Sequence, residues 1–429
     1  MATGRNVIVA QSGGPTPVIN NSLRGIVDAC KSYSDHFGTV YAGLHGIEGI
    51  LQETLLDLSG QPEEEIHYLR TTPAAGSIGT CRYKLKENQR ADFERVIEVF
   101  KAHDIGTFFY IGGNDSMDTA HKIAALAEER GLELKAVGVA KTIDNDLGDD
   151  EFRLIDHTPG YGSVAKYWTC IVQNAEEENR GSSPADPVLV LQAMGRNIGF
   201  IPAASRLADP KREIPLQIYL PESGLTLDEL TENVNRMLLE RGRCIVVVSE
   251  GFDVGELGTT VDAFGHTQFS ASSMTVQQKI IGHLNSKGLR TRGTARGQTM
   301  GTDQRDSAVY ASTVDLDEAY KIGQNAVVIA VEYGGGYMST ILRNPGLIYN
   351  VRYDKVPLKL AANSERHFPA RWIAENRIDV TDEFIRFAQP LIGEDWVSVP
   401  LVNGRQRFAR LEPRFVEKKL LEYVPEMFQ

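Results

Sequence analysis

Short apolar runs recur along the first 250 residues, and each opens into a polar turn before the next helical pattern begins. Residues 6–10 read as a strand, followed by Gln11-Ser-Gly-Gly-Pro-Thr-Pro-Val-Ile-Asn20 and a helical face through Leu23, Ile26 and Val27. A second strand is expected over 39–43, and Phe93, Val96, Ile97 and Phe100 mark one apolar helical face. The strand expected over 106–111 runs into Gly112-Gly-Asn-Asp-Ser-Met-Asp118 and a helix to about Arg130. Residues 135–140 form the next apolar run and end in Lys141-Thr-Ile-Asp-Asn-Asp146. A helical segment over 158–180 precedes a buried strand at 187–193 and the turn Met194-Gly-Arg196. Strands are expected again at 214–220 and 244–248, the latter opening into Ser249-Glu250-Gly251. Between them, Thr226-Leu-Asp-Glu229 has capping-box spacing for a helix through Leu238. Beyond about Val331, short strands alternate with glycine-rich turns, and a helix starts near Thr381. Strand and helix alternating at this spacing call for a largely parallel sheet covered on both faces.

Composition narrows the class. The 429 residues suit two domains or one large α/β unit, and a net charge of -12 disfavours non-specific binding to nucleic acid or anionic membrane. An anionic substrate must therefore be met by a local basic cluster. Four scattered cysteines, without zinc-like spacing, fit a reducing compartment. With no signal-like segment before Val7 and no long apolar run, a soluble, cytoplasmic protein is expected.

The candidate chemistry sits at the strand ends, where open α/β sheets bind ligands. In an extended loop Asp144 and Asp146 project to one side, so one carboxylate could accept a proton while its neighbour holds a metal. An acidic loop that only caps the next helix is the alternative. Gly13 and Gly14 at a strand-to-helix turn suit phosphate binding, although neither a P-loop nor a Gly-x-Gly-x-x-Gly pattern is present. A plain tight turn would read the same. Arg82 and Lys84 flank an aromatic residue in a loop that either faces the same anion or is merely solvated. The stretch Arg290–Arg305 contains Arg290, Arg292, Arg296 and Arg305 without apolar periodicity, which predicts a basic loop for much of its course, serving a phosphate or a subunit contact.

Taken together and in order, Ser12-Gly-Gly, Gly112-Gly-Asn-Asp-Ser, Lys141-Thr-Ile-Asp-Asn-Asp, Met194-Gly-Arg and Ser249-Glu-Gly resemble the phosphofructokinase family over most of residues 5–310. Gly335-Gly-Tyr-Met and Arg371-Trp372 before Val380-Thr-Asp-Glu-Phe resemble its pyrophosphate-dependent branch. The resemblance implies an α/β fold of two Rossmann-like three-layer domains with a C-terminal extension. The boundaries expected are a donor domain over 1–150, completed by about 290–345, a fructose 6-phosphate domain over 151–290, and an extension over 346–429 packed on the core. It implies reversible phosphoryl transfer from pyrophosphate to the 1-hydroxyl of fructose 6-phosphate, a glycolytic reaction, with Mg²⁺ and a homodimer or homotetramer.

Under that resemblance Asp144 is the base, and Thr142, Ile143, Met194, Gly195, Arg196, Glu250, Arg292 and Arg305 serve the sugar phosphate. Gly13, Gly14, Arg82, Gly113 and Ser116 hold the donor, and Asn114 and Asp146 the metal. ATP-using relatives carry glycine where this chain has Asp115 and Lys141. A carboxylate at 115 repels a nucleotide's α-phosphate, and Lys141 supplies charge to the transferring group. Asn114 replaces a common metal-binding Asp, and the basic loop departs from the family's Gln-Arg-Gly-Gly, leaving open which of Arg292, Arg296 or Arg305 meets the 6-phosphate. An ATP-dependent kinase, a sedoheptulose 7-phosphate kinase and a non-catalytic regulatory subunit are the rival readings.

Overall fold

The computed structural model describes residues 4–83, 85, 88–257, 260–261, 267–268, 274–362 and 364–428, so Lys84 lies outside the described residues. Two sheets organise the chain. The larger contains β1 (Asn6–Gln11), β2 (Val40–Gly43), β3 (Leu55–Asp57), β4 (Ile105–Gly112) and β5 (Lys135–Ala140). The smaller is built on β6 (Val188–Ala193), β7 (Leu216–Tyr219), β8 (Cys244–Ser249) and β9 (Ala295–Thr299). The larger sheet is completed by β10 (Tyr337–Arg343) and β11 (Val351–Pro357), giving the order β11-β10-β5-β4-β1-β2-β3. Its five central strands are parallel, and both edges, β3 and β11, are antiparallel. The smaller sheet, β9-β6-β8-β7, is parallel throughout. Strands such as Val-Leu-Val-Leu at 188–191 and Ile-Val-Val-Val at 245–248 are continuously apolar because helices cover both of their faces.

The α/β class and the parallel sheets are as expected, and the capping box at Thr226 and Glu229 forms as its spacing requires. The Arg290–Arg305 stretch is irregular for much of its course, as expected, but it contains an edge strand, Ala295–Thr299, paired with Val188–Gln192. Backbone pairing to a buried neighbour gives Arg-Gly-Gln strand geometry that its own side chains do not specify. The first sheet is rejoined at Tyr337, inside the 290–345 return, while Ala295–Thr299 joins the smaller sheet and Val351–Pro357 of the extension becomes the larger sheet's edge.

A long helix over Thr313–Glu332 escaped the sequence pattern because it is apolar on most of its surface, burying Leu316, Ala319, Ile322, Ala326 and Ile329. Ser312 caps it by accepting from the Asp315 N–H. The Asp315 carboxylate in turn accepts from Gly160 and Ser163 N–H groups, holding the start of the helix Tyr161–Ser182.

Candidate active site

A cleft of about 360 Å³ opens where the carboxyl ends of both sheets face each other. From the larger sheet it receives the turns after β1, β4 and β5, and from the smaller sheet Met194, Arg196 and Glu250. The turn after β1 can approach Lys141 because Gly13 adopts φ +75°, and a Cβ on Gly14 would stand 3.0 Å from Arg305 Nη1. After β4, a Cβ on Gly112 would collide with the Ser116 side chain, so glycine there lets the helix Asn114–Glu129 start tight against its strand. That packing brings Asn114, Asp115 and Ser116 to the cleft at a helix N-terminus.

The Lys141–Asp146 loop is the centre of the site. The Lys141 N–H donates to the Gly112 carbonyl at 3.0 Å, and its Nζ donates to the Gly14 carbonyl at 2.6 Å. Thr142 Oγ1 accepts from the Asp144 N–H at 3.1 Å. Asp144 and Asp146 do face one cleft, but not by extension. Asn145 between them takes φ +57°, and its fully buried side chain accepts from the Thr158 N–H at 3.0 Å and from Arg366 Nη1 at 3.2 Å. A non-glycine residue in this region is strained and persists only where its surroundings fix it.

On the opposite wall, Arg196 Nε lies 3.9 Å from Asp144 Oδ2, and Glu250 Oε1 accepts from the Arg196 N–H at 3.0 Å. Gly195 does not line the cleft; its φ of +123° makes the turn that presents Arg196. Gln304 Oε1 accepts from the Met194 N–H at 3.1 Å, fixing the same turn from a residue that no local pattern singled out.

Burial governs the electrostatics. It pushes the Asp144 carboxyl up to about 7, helped by Asp146 and opposed by Arg196 and Lys141. Asp146 and Glu250 are raised for the same first reason. Burial brings the Lys141 ammonium down to about 7 against the pull of Asp144 and Asp146. Arg305 is lowered by burial and by Arg82 nearby. Cations and carboxylates are thus held out of water at one place, and an incoming polyanion would restore full charge to Lys141.

Of the residues expected from sequence, Gly13, Gly14, Arg82, Gly113, Asn114, Asp115, Ser116, Lys141, Thr142, Ile143, Asp144, Asp146, Met194, Arg196, Glu250 and Arg305 line this one cleft. Arg292 does not. It is exposed ahead of β9, whereas Arg305 lines the cleft beside Gly14. Arg296 is also outside, paired with Asp186 at 2.8 Å. Tyr83, Thr119 and Glu365 line the cleft without having been singled out as site residues; only Tyr83, the aromatic beside Arg82, carried a hint.

Residues 6–327 match the family model described as Phosphofructokinase. The chain belongs to the phosphofructokinase family. It is similar to the "Pyrophosphate--fructose 6-phosphate 1-phosphotransferase" of Halomonas elongata, at 38 % identity across 97 % of this chain and 99 % of that one. Among solved structures, the pyrophosphate-dependent phosphofructokinase from Nitrosospira multiformis superimposes with a TM-score of 0.87 at 36 % identity, covering 98 % of this chain and 100 % of the other. That from Marinobacter aquaeolei gives the same TM-score at 34 % identity, covering 98 % and 99 %. The phosphofructokinase fold therefore accounts for the whole chain, including the part beyond residue 327.

Proposed function

We propose that the chain reversibly transfers a phosphoryl group from pyrophosphate to the 1-hydroxyl of fructose 6-phosphate, giving fructose 1,6-bisphosphate and phosphate. The observation that supports the donor assignment is that Asp115 and Lys141 line the same cleft as the Gly13-Gly14 turn, with Lys141 Nζ donating to the Gly14 carbonyl. A nucleotide would have to pass its α-phosphate by the Asp115 carboxylate, whereas pyrophosphate ends before it. The near full-length likeness to enzymes named for pyrophosphate supports the same choice.

In this reading Asp144 takes the proton of the sugar 1-hydroxyl as that oxygen attacks phosphorus, and the bond to the leaving phosphate breaks. Lys141, Arg82 and Arg305 neutralise charge on the transferring and leaving groups. Arg196, Thr142, Ile143, Met194 and Glu250 orient the sugar phosphate, with the Gly195 turn presenting Arg196. The residues fit a divalent cation, taken as Mg²⁺. Asn114 Oδ1 is buried without a hydrogen-bond partner, and Asp146 lines the same cleft. When bound, such an ion would draw electrons from the donor's oxygens. No group of three His, Cys, Asp or Glu suited to a metal occurs among the described residues. Donor oxygens and water therefore have to complete the shell, as Mg²⁺ commonly requires.

The donor side is built mainly on the larger sheet, and the sugar side on the smaller sheet together with Thr142 and Ile143 from the loop after β5. The proposal extends to a cytoplasmic homodimer or homotetramer in which exposed Arg292 serves a neighbouring copy's sugar phosphate. All four cysteines are free, which suits that compartment.

The test is initial rate with fructose 6-phosphate and Mg²⁺, comparing pyrophosphate with ATP. A rate with pyrophosphate alone is expected. A rate with ATP alone would overturn the donor, and silence with both would leave a different sugar phosphate or a non-catalytic subunit.

A further inference from the structure

The matched family model stops at residue 327, and the chain beyond 346 was expected only to pack on the core. One segment of it reaches the reacting loop. Arg366 is fully buried, and its N–H donates to the Asp146 carbonyl at 2.8 Å. Its Nη1 donates to Asn145 Oδ1 at 3.2 Å and to the Asp156 carbonyl at 3.0 Å. Nε donates to the Asp149 carbonyl at 3.1 Å, and Nη2 donates to the Ile155 carbonyl. Ser364 Oγ accepts from the Gly148 N–H at 3.1 Å, and the guanidinium lies 4.2 Å from the centre of the Phe152 ring. Between these two residues, Glu365 lines the cleft.

A buried guanidinium is a costly way to fill space, and burial lowers this one to about 10. Its fork meets one side-chain amide and three backbone carbonyls, and every one of these acceptors belongs to the segment 145–156. Asn145, with its backbone strained at φ +57°, has its side-chain oxygen held by two donors, the Thr158 N–H and Arg366 Nη1. Asp144 precedes that residue and Asp146 follows it, so any relaxation of Asn145 turns both carboxylates.

We propose that Arg366 is a positioning residue for phosphoryl transfer, clasping the Asp144-Asn145-Asp146 loop so that the Asp144 carboxylate faces the attacking hydroxyl. The inference rests on the reaction proposed above, and its test separates the two. In Arg366→Met, with pyrophosphate as donor, kcat should fall about 100-fold, the cost of misplacing a reacting group by roughly 1 Å. KM for both substrates should stay within about threefold, because the walls that bind them are untouched. Arg366→Lys keeps the charge and loses the fork, so it should fold and lose about tenfold in kcat. Adding Arg366→Met to Asn145→Gly should cost clearly less than Arg366→Met costs alone, because the guanidinium's direct link to the Asn145 side chain is already cut while its three carbonyl bonds remain to be lost.

Hydrogen exchange supplies a readout independent of turnover. Arg366→Met should speed exchange of amides 144–150 while those of Val188–Ala193 keep their wild-type rates. An active wild type whose Arg366→Met variant keeps its kcat would overturn the inference. So would additive effects with Asn145→Gly, or a rise in KM matching the fall in kcat. If wild type is inactive with pyrophosphate, the reaction assignment fails, and unchanged loop exchange would then separately sink the clasp.

Discussion

The two walls of the cleft are finished to different degrees. On the larger-sheet wall, Lys141 is 3 % exposed, Asn145 and Arg366 are fully buried, and each is held by named hydrogen bonds. On the smaller-sheet wall Glu250 is buried, but the Arg196 side chain is 54 % exposed and meets Asp144 only at 3.9 Å, and Arg292 lies in exposed chain outside the cleft. Under the roles proposed above, the difference follows from what each wall must do. Groups that act on developing charge gain most from being fixed and dry, even at the cost of strained backbone and shifted titration. Groups that capture a diffusing sugar phosphate have to remain reachable, and they tighten when the substrate arrives.

The largest effect that could break this contrast is at the loop itself. Asp144→Ala should lower turnover by on the order of 10³–10⁴-fold, the range for a positioned acid–base group. Calorimetric binding of fructose 6-phosphate should persist, since Arg196 and Glu250 remain. Turnover surviving in that variant would remove Asp144 as the base and put the chemistry on the open wall. Next in size is the donor pair. Replacing Asp115 and Lys141 together by glycine should cut kcat/KM for pyrophosphate by about 100-fold, comparable to losing one preorganised charge-stabilising group. An unchanged ratio of pyrophosphate to ATP rates would show that the turn's glycines, rather than these two side chains, select the donor.

The open wall should respond more weakly and mostly in KM. Arg196→Ala is expected to raise KM for fructose 6-phosphate about tenfold, the loss of one charge-assisted hydrogen bond. In the homo-oligomer proposed above, Arg292→Ala should raise the same KM by a similar factor, because Arg292 serves a neighbouring copy's sugar phosphate. If Arg292→Ala instead stays within about twofold, as for a surface residue away from the site, no neighbouring copy completes this wall.

How much of this was legible in the sequence follows the same division. Lys141, Asp144 and Asp146 stand out because polar groups packed at the end of an apolar strand have few reasons to be there. Asp115 and Gly13 stand out in the same way at their own strand ends. Their geometry was not legible. Extended backbone was the natural expectation for Asp-Asn-Asp, and the left-handed Asn145 depends on Arg366, which lies far along the chain in a segment with no pattern of its own. Gln304 and Glu365 were hidden for the same reason, since each acts through a tertiary contact. Strand Ala295–Thr299 was missed because an edge strand can borrow its geometry from its neighbour, leaving arginine and glutamine where alternation was sought.

The smallest predicted effect probes the locked wall from beneath. His157 Nδ1 sits 2.8 Å from Asp156 Oδ1 and Nε2 2.7 Å from Glu318 Oε2, with Arg343 donating to Asp156 and Tyr349 to Glu318. The Asp156 carbonyl and the Thr158 N–H are the next links up to Arg366 and Asn145. Burial alone would lower the imidazole, but Glu318 and Asp156 override it and raise His157 from 6.5 to about 9. A folded-state value above the unfolded one stabilises fully below pH 6.5, and the gain is lost as pH rises through about 9. A shift of that size corresponds to roughly 3 kcal/mol, shared with the depressed Asp156 carboxyl rather than added to it. Melting temperature measured from pH 6 to 10 should therefore fall more steeply in wild type than in His157→Gln, with the two curves converging above pH 9. Because the imidazolium braces the Asp156–Thr158 segment, the wild-type advantage in kcat over His157→Gln should shrink across the same window, while Asp144 and Lys141, both shifted to about 7, shape the two profiles alike. Parallel melting curves would mean that the two carboxylates do not hold a charged imidazole, and the rigidity of this wall would then rest on the guanidinium of Arg366 alone.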